Sequence, residues 1–514
     1  MPKSSRPRII IVGLGPGDPK HLTVEAQGVL RRARRLYLRT RRHPVVAHLP
    51  SHLELLSFDE VYDQAASFAE VYETIANRLL DQAEANGLSP VIYAVPGHPL
   101  VAEESVHRLL DRACARSLPV RIVDGLSFLA PTFTLLKLDP LAQGLQVLDA
   151  TELASFLEAA EKALPTRRPF DATRPAVIAQ LYSRQVASHV KLALMRSYSP
   201  EHQVTLVKSA GVPGEEATRA IPLHDLDRQP DVDHLTCLYV PPISQEEDLR
   251  SFESLRYIVA RLRAPGGCPW DREQTHLTLR PHLIEEAYEV LDALEGDDPA
   301  KLAEEMGDLL LQIMLHAQLA AEEGTFDVDD VVAEISAKLI RRHPHVFGSR
   351  HVKDATEVLR NWEQIKRTEE RAPESIIGGV PRHLPALAYA QTVGRKVARV
   401  GFDWPDQQGV VDKIAEEVGE LTRAGTLEEK RHELGDLLLA IVNLARWLGI
   451  DAEDALREAN HRFAARFQRV EALAAQRGLD LSEMSIQQLD ELWEEAKAEM
   501  EGDGGPREQS HFGA

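Results

Sequence analysis

The chain has 514 residues, 44% hydrophobic and 27% charged, with a formal charge of −21. That length suggests about three domains, and the apolar content excludes wholesale disorder. No apolar run approaches the ~20 residues of a bilayer span, and an acidic chain matches a nucleic-acid backbone poorly, so neither a membrane nor a nucleic acid is an expected partner.

Residues 1–245 carry 27 Lys/Arg and 27 Asp/Glu, so the whole excess of acid resides in the second half. The opening MPKSSRPR runs straight into IIIV with no apolar signal core, so a cytoplasmic protein is expected. Cys114, Cys237 and Cys268 fit neither a disulfide framework nor a zinc motif, and each reads as a small buried hydrophobe.

The first half reads as α/β. Arg8–Val12 is a short buried strand, Gly13-Leu-Gly-Pro-Gly-Asp18 a glycine-rich loop, and Thr23 to about Arg35 a helix. Further strands are predicted at Pro90–Val95, Val120–Val123, Ala176–Gln180, Val204–Lys208 and Leu235–Val240, with helices between them. The Pro- and Arg-rich segment Pro165–Pro175 reads as a link between two lobes, and Pro241-Pro242 as the end of the unit. After residue 245 the period changes to that of helices. Leu283, Ile284, Ala287, Leu291 and Leu294 mark one helix face, and Leu302, Met306, Leu309, Leu310 and Ile313 another.

The helical half repeats itself. Glu285-Glu286-x-x-Glu289 recurs as Glu416-Glu417-x-x-Glu420, and Glu305-x-Gly-Asp308 as Glu433-x-Gly-Asp436. Lys338-x-x-x-Arg342 is matched by Arg462-x-x-x-Arg466, and Trp362-x-x-x-Lys366 by Trp493-x-x-x-Lys497. Four matches in one order, at offsets of 124 to 131 residues, are not a chance pattern. Domains are therefore expected at 1–245, 246–370 and 386–505, with a linker at 371–385 and a disordered tail at 506–514.

One EExxE is compatible with a solvated helix face. The second element changes that reading. Glu305 and Asp308 lie one turn apart on a helix that is apolar almost all round, so burial of the helix and its carboxylates is expected. Ionised carboxylates in such a setting need neutralising, and Glu286 and Glu289 on the preceding helix could face them. All-oxygen ligation suits Mg²⁺ or Mn²⁺, which keeps open positions for water and phosphate. Gly307 and Gly435 weaken their helices and suggest close helix–helix approach. The basic pairs Lys338/Arg342 and Arg462/Arg466 offer guanidinium or ammonium groups to phosphate, and Trp362/Lys366 and Trp493/Lys497 a ring and an ammonium one turn apart. A basic pair alone is equally a surface feature, and a Trp equally a packing residue.

Residues 250–500 resemble the MazG family of nucleoside triphosphate pyrophosphohydrolases. The resemblance rests on Gly267-Cys-Pro-Trp-Asp271, the EExxE and ExxGD pairs, Arg341-Arg-His-Pro-His345 and Gly401-Phe-Asp-Trp404. It implies an all-α fold that assembles as a dimer or higher even oligomer, and hydrolysis of NTP or dNTP to monophosphate and pyrophosphate with Mg²⁺. It implies metal ligation by Glu286, Glu289, Glu305 and Asp308 in the first repeat, and by Glu417, Glu420, Glu433 and Asp436 in the second. Glu416 or Glu285 is the candidate base. Arg462 stands where the family pattern has Lys, and the C-terminal repeat is favoured as the working one.

In the first half, Tyr93-Ala-Val-Pro-Gly-His-Pro-Leu-Val101 and Val123-Asp-Gly-Leu-Ser127 place further loops at strand ends, where α/β folds bind ligands. With the opening loop they resemble the tetrapyrrole methylase family over about residues 8–241. That resemblance implies S-adenosylmethionine in a cleft between two α/β lobes, held by Gly13, Gly15, Pro16, Gly17, Pro96, Gly97, His98, Gly125 and Ser127. The family's Gly-Asp-Pro is Gly97-His98-Pro99 here. The expected architecture is thus an α/β two-lobe methylase-like domain followed by two all-α MazG-type domains. The expected activity is pyrophosphohydrolysis with an appended methyltransferase-like domain. Alternatives are a ligand-sensing first domain that regulates the hydrolase, or methyl transfer as the main activity with a regulatory helical part. A di-iron bundle is disfavoured because Glu305 and Glu433 are followed by Asp308 and Asp436 and not by His. The intact double carboxylate set disfavours an inert scaffold.

Overall fold

The computed structural model describes residues 7–65, 67–87, 89–162, 167–369 and 375–502. The predicted tail at 506–514 and residues 371–374 of the predicted linker lie outside them. The chain divides into two compact units, Met1–Val332 and Ala333–Ala514.

In the first unit, β1 (Ile9–Gly13), β2 (Arg35–Leu38), β3 (Glu54–Ser57), β4 (Val91–Val95) and β5 (Val120–Val123) form one sheet in the order β3-β2-β4-β1-β5. Every pairing in it is parallel, so its central strands are covered on both faces. Alternation divides the load. Ile9, Ile11, Tyr93 and Val95 pack on one face with Ile75, Leu79 and Leu109, while Ile10, Val12, Ile92 and Ala94 pack on the other with Leu30. The helices Val24–Arg32, Phe68–Ala85 and Glu104–Ala115 supply those partners, the first two capped by Thr23 and Ser67.

A second, mixed sheet follows: β6 (Gln146–Asp149), β7 (Ala176–Ala179), β8 (Gln203–Lys208), β9 (Ala217–Pro222) and β10 (Thr236–Val240), in the order β6-β7-β10-β8-β9. Ile178, Leu206 and Leu238 pack beneath Leu153, Val190 and Leu194 of the helices Ala150–Glu161 and Arg184–Leu194. The chain passes from one sheet to the other between Val123 and Gln146, not at Pro165–Pro175 as the composition suggested. By Pro175 the second sheet has begun, because β6 already pairs in parallel with β7. The helix predicted to run to about Arg35 stops at Arg32, because Arg35–Leu38 is needed to pair with β3 and β4.

The second sheet is tied to the segment after it by a buried fork. Both Arg168 Nη atoms donate to the two carboxylate oxygens of Asp248, at 2.9 and 2.8 Å, and Nη1 also reaches Ser197. Asp248 is fully buried.

From Phe252 onward the described residues form helices only. In the first unit, Arg280–Glu295 packs against Pro299–Glu322 across a short turn capped by Asp298. In the second, Gln407–Arg423 packs against Leu427–Leu448, whose start is a complete capping box of Thr426 and Glu429. Smaller cores sit around Met314 and Leu315, and around Val470, Leu473 and Leu492.

Three expectations fail here. The Glu305 helix is not buried all round, since Met306 is 57% and Ile313 43% exposed; a single copy of the chain leaves this face uncovered. Gly307 and Gly435 are not points of close approach, because a Cβ at either meets nothing within 4 Å. Cys114 is exposed, facing out from its helix, while Cys237 is buried and Cys268 intermediate. Among the described residues no helix is long and apolar enough to cross a membrane.

Candidate functional site

Two acidic clusters emerge from the repeated helix pairs. Carboxylate oxygens of Glu286, Glu289 and Glu305 lie within 4.8 Å of one another, as do those of Glu417, Glu420 and Glu433. The spacing explains this. The second and fifth positions of EExxE share a helix face, and the short turn folds the next helix back so that the Glu of its ExxGD element meets that face. Asp308 and Asp436 lie outside the two triplets. Asp308 is still close enough to act on Glu286, whose carboxyl is raised above the ordinary value by burial, then by Asp308 and Glu289. Asp436 stands 3.4 Å from His432.

Each cluster has one deeply buried member. Glu305 and Glu417 are each 4% exposed, and Glu417 Oε2 has no hydrogen-bond partner. A lysine one turn earlier meets each of them. Lys301 pairs with Glu305, and Lys413 stands 2.8 Å from Glu417 and 3.0 Å from Glu416. Those two carboxylates hold Lys413 protonated well above the ordinary lysine value. Sequence reasoning missed both lysines, although their i,i+4 spacing to the buried glutamates is legible. Glu285 and Glu416 are exposed, Glu285 facing His282 at 3.5 Å. An orphaned buried carboxylate oxygen in an all-oxygen donor set fits a hard divalent cation.

In the second unit, Trp493 packs on Phe463 with centroids 5.1 Å apart, and Phe463 stacks on Phe467 at 6.3 Å. Phe463 is 60% exposed and was not singled out from the sequence. Arg462, on the same helix, pairs with Glu458 at 3.3 Å, and Lys497 stands 3.7 Å from Glu494. Arg466 is half-buried, one turn beyond Arg462. In the first repeat, the Arg342 guanidinium lies 5.4 Å from the Trp362 ring centroid, so that ring already carries a cation. Arg342, Trp362 and Lys338 belong to the second unit, whereas Glu286, Glu289 and Glu305 belong to the first. The Lys366 side chain lies outside the described residues. Asp403 of the GFDW motif is structural: it accepts from Arg446 at 2.6 and 2.9 Å and from Trp447 at 3.2 Å.

The glycine loops of the first unit interlock. Gly15 and Gly97 exchange backbone hydrogen bonds at 3.2 and 2.8 Å, both with positive φ. A Cβ on Gly13 would stand 2.6 Å from the Gly125 Cα and from the Gly97 carbonyl oxygen. These glycines are therefore required for three strand ends to meet. Gly17 is enclosed beside Val212, and Ser127 accepts from Leu129 N–H at 3.2 Å. His98 Nδ1 accepts from Leu100 N–H at 3.1 Å, which turns Nε2 toward Asp124 at 3.5 Å.

Beside these loops is a cavity of about 1140 Å³, lined by Pro16, Pro96 and Gly97 from the first lobe and by Asp149, Gln180 and Ser209 from the second. Ala102, Gln180 and Ser209 on its wall adopt φ of 54°, 60° and 51° without being glycine. Strain of this kind gathers at ligand sites. Its floor holds a buried network in which Arg39 donates to Glu103 and Tyr62 at 2.8 Å, and Glu103 accepts from Ser105.

Residues 8–227 match the family described as tetrapyrrole (corrin/porphyrin) methylases, and residues 274–347 and 406–470 match the MazG nucleotide pyrophosphohydrolase domain. The uncharacterized protein YabN of Bacillus subtilis is 40% identical over 497 residues, 95% of this chain and 98% of its own length. The nucleoside triphosphate pyrophosphohydrolase/pyrophosphatase MazG of Thermotoga maritima is 46% identical over 247 residues, 48% of this chain and 95% of its own. Among solved structures, the uroporphyrin-III-C-methyltransferase of Thermus thermophilus is 22% identical, spanning 45% of this chain and 93% of its own with a TM-score of 0.34.

Proposed function

Because the chain belongs to the MazG nucleotide pyrophosphohydrolase family, joined here to a tetrapyrrole methylase domain, we propose that it hydrolyses nucleoside triphosphates to monophosphate and pyrophosphate. The observation that carries this reading is the pair of glutamate triplets, each closing to within 4.8 Å and each anchored by a buried glutamate. Glu286, Glu289 and Glu305 would hold divalent metal in one repeat, with Asp308 beside them, and Glu417, Glu420 and Glu433 in the other, with Asp436. A bound Mg²⁺ or Mn²⁺ supplies charge neutralisation of the triphosphate and a more acidic water.

The protein groups do the rest. Glu416 takes the proton of the attacking water as its oxygen bonds to the α-phosphorus and the bond to the β-phosphate breaks. Lys413, 3.0 Å away, orients the Glu416 carboxylate. Arg462, Arg466 and Lys497 receive the charge that gathers on the departing pyrophosphate. Phe463 and Trp493 offer the base an exposed aromatic platform. The first repeat's Trp362 is covered by Arg342, which favours the second repeat as the working one. The exposed apolar faces at Met306 and Ile313, and at Leu434, Leu438 and Ile441, support assembly into a dimer or higher even oligomer that covers them. On this reading residues 1–245 form the methylase-like domain with S-adenosylmethionine at its glycine loops, and 246–370 and 386–505 the two helical domains.

The test is product analysis on a panel of NTPs and dNTPs with Mg²⁺. Wild type is run beside Glu305→Ala/Asp308→Ala and Glu433→Ala/Asp436→Ala. Monophosphate and pyrophosphate, lost only in the second double variant, is the expected result. Folded protein that turns over no nucleotide with Mg²⁺ or Mn²⁺ would sink the proposal.

A further inference from the structure

Each glutamate cluster already holds a cation of its own. Lys413 stands 2.8 Å from Glu417, and Lys301 pairs with Glu305. Glu417 and Glu305 are the buried members of their triplets, while the other four glutamates are half-buried or exposed. Each lysine therefore serves the one carboxylate that water does not reach.

Two observations separate these pairs from ordinary pairs on a helix surface. The first is order. Both lysines precede their glutamates by four residues, and Lys before Glu is the weaker arrangement for steadying a helix. The second is position in the repeat. Lys413 lies on the helix of EExxE, and Lys301 on the helix of ExxGD. At the EExxE offset of 131 residues Lys413 corresponds to His282, and at the ExxGD offset of 128 Lys301 corresponds to Glu429. The two repeats thus reach one charge arrangement from unrelated positions, so it is no relic of duplication. What they share is a lysine one turn ahead of whichever glutamate is buried.

The charge balance gives these lysines a task. Three ionised carboxylates within 4.8 Å carry −3, and one ammonium brings that to −2. The buried glutamate is then compensated with no metal bound. A divalent cation entering the second cluster meets a weaker attraction, and a positive charge 2.8 Å from one of its ligands. The carboxylate is not used up by the lysine: Glu417 Oε1 faces Lys413, while Oε2 has no partner. Both lysines are partly exposed, so each arm has solvent to withdraw into.

We propose that Lys413 and Lys301 are counter-ions that stand in for the metal: they keep each cluster closed while it is empty, and they weaken its hold on free divalent cations. Nucleotide phosphates supply the missing negative charge, so a cation is held firmly only together with nucleotide. The inference rests on the metal reading above, and its test separates the two.

The test is Mn²⁺ titration of the full chain without nucleotide, with free Mn²⁺ read by electron paramagnetic resonance. Lys413→Met should tighten one class of site by about tenfold or more, and Lys301→Met the other. Lys413→Arg, which keeps the charge, should stay close to wild type. Hydrogen exchange gives the opposite sign for the empty site. In EDTA the helix Gln407–Arg423 of Lys413→Met should be less protected than in wild type, because Glu417 is left uncompensated, and saturating Mn²⁺ should remove the difference. A lysine that only braces the helix would lower protection in both conditions. Should Lys413→Met fail to fold without metal, Lys301→Met reads the same quantity in the other cluster. Mn²⁺ binding that neither Met variant tightens overturns the proposal and leaves the metal reading standing. Absence of Mn²⁺ binding by folded wild type and both Met variants overturns the metal reading, and the proposal with it.

Discussion

Glu286→Gln distinguishes a metal cluster from an ordinary polar surface because the two give opposite signs. In the metal-free chain, Glu286, Glu289 and Glu305 bring like charges within 4.8 Å. At that distance two unit charges repel by about 0.9 kcal/mol in bulk water and about 3.5 kcal/mol at an effective dielectric constant of 20. Glu286 is half-buried and Glu289 exposed, so solvent screening places each pair near the low end, at about 1 kcal/mol. The amide removes two of the three repulsions in the triplet, a gain of about 2 kcal/mol for the metal-free protein. With Mg²⁺ the order reverses, because a ligand has been lost. The chain is too large for one two-state transition, so the readout is hydrogen exchange in the helix Arg280–Glu295, with EDTA and with excess Mg²⁺. The variant should be more protected than wild type in EDTA and gain less from Mg²⁺. Lower protection in EDTA would refute the reasoning, since it would mean that attractive contacts hold Glu286. A pH companion follows. The raised Glu286 value means that the folded chain binds more proton than the unfolded between the ordinary and the raised value. Metal-free stability therefore falls as pH rises through that window, and the variant is flat there.

Arg168→Ala leaves the fully buried Asp248 without its partner, and should destabilise the first unit by about 3 kcal/mol, read as a lower urea midpoint. A loss below about 1 kcal/mol would mean that the fork is not a tie. His43 has its folded value depressed to about 4 from 6.5, so the unfolded chain alone holds the proton between those values. Stability is complete above pH 6.5 and about 3 kcal/mol is lost as pH falls toward 4, a slope that His43→Gln should remove in acid-unfolding curves. Gly125→Ala drives a Cβ to 2.7 Å from the Gly13 carbonyl carbon, backbone against backbone, and should cost about 3 kcal/mol; an unshifted thermal midpoint would contradict the interlocked loops.

The sequence foretold best what depends on local spacing. The EExxE and ExxGD elements meet as glutamate triplets because i,i+3 geometry and a three-residue turn leave little choice. The strands built from Ile-Ile-Ile-Val and Val-Ile-Tyr-Ala-Val were legible because both faces are buried. By contrast, β2 begins at exposed Arg35 straight after a helix, and β9, Ala-Thr-Arg-Ala-Ile-Pro, is an exposed edge with little apolar alternation. β2 exists through pairing with β3 and β4, and β9 as the outer strand of a hairpin with β8; the strand partner, not the local pattern, makes each one a strand. The cavity was invisible for the same reason. Arg39 and Glu103 of the first lobe and Gln180 and Ser209 of the second are scattered along the chain and acquire meaning only when two sheets bring them to one cavity. Burial of the Glu305 helix was misjudged because an apolar helix says that something covers it, not that the same polypeptide does.

The acidity of the helical half bears on how a nucleotide arrives. A free triphosphate approaching residues 246–514, which carry 53 acidic against 32 basic side chains, meets a field of its own sign. On the proposed activity, encounter would be slower than diffusion alone allows, and the metal-chelated nucleotide, with about half the negative charge, would be the favoured species. Screening should speed it up: kcat/KM should rise with moderate added KCl at saturating Mg²⁺, whereas a field that steers substrate inward would make it fall.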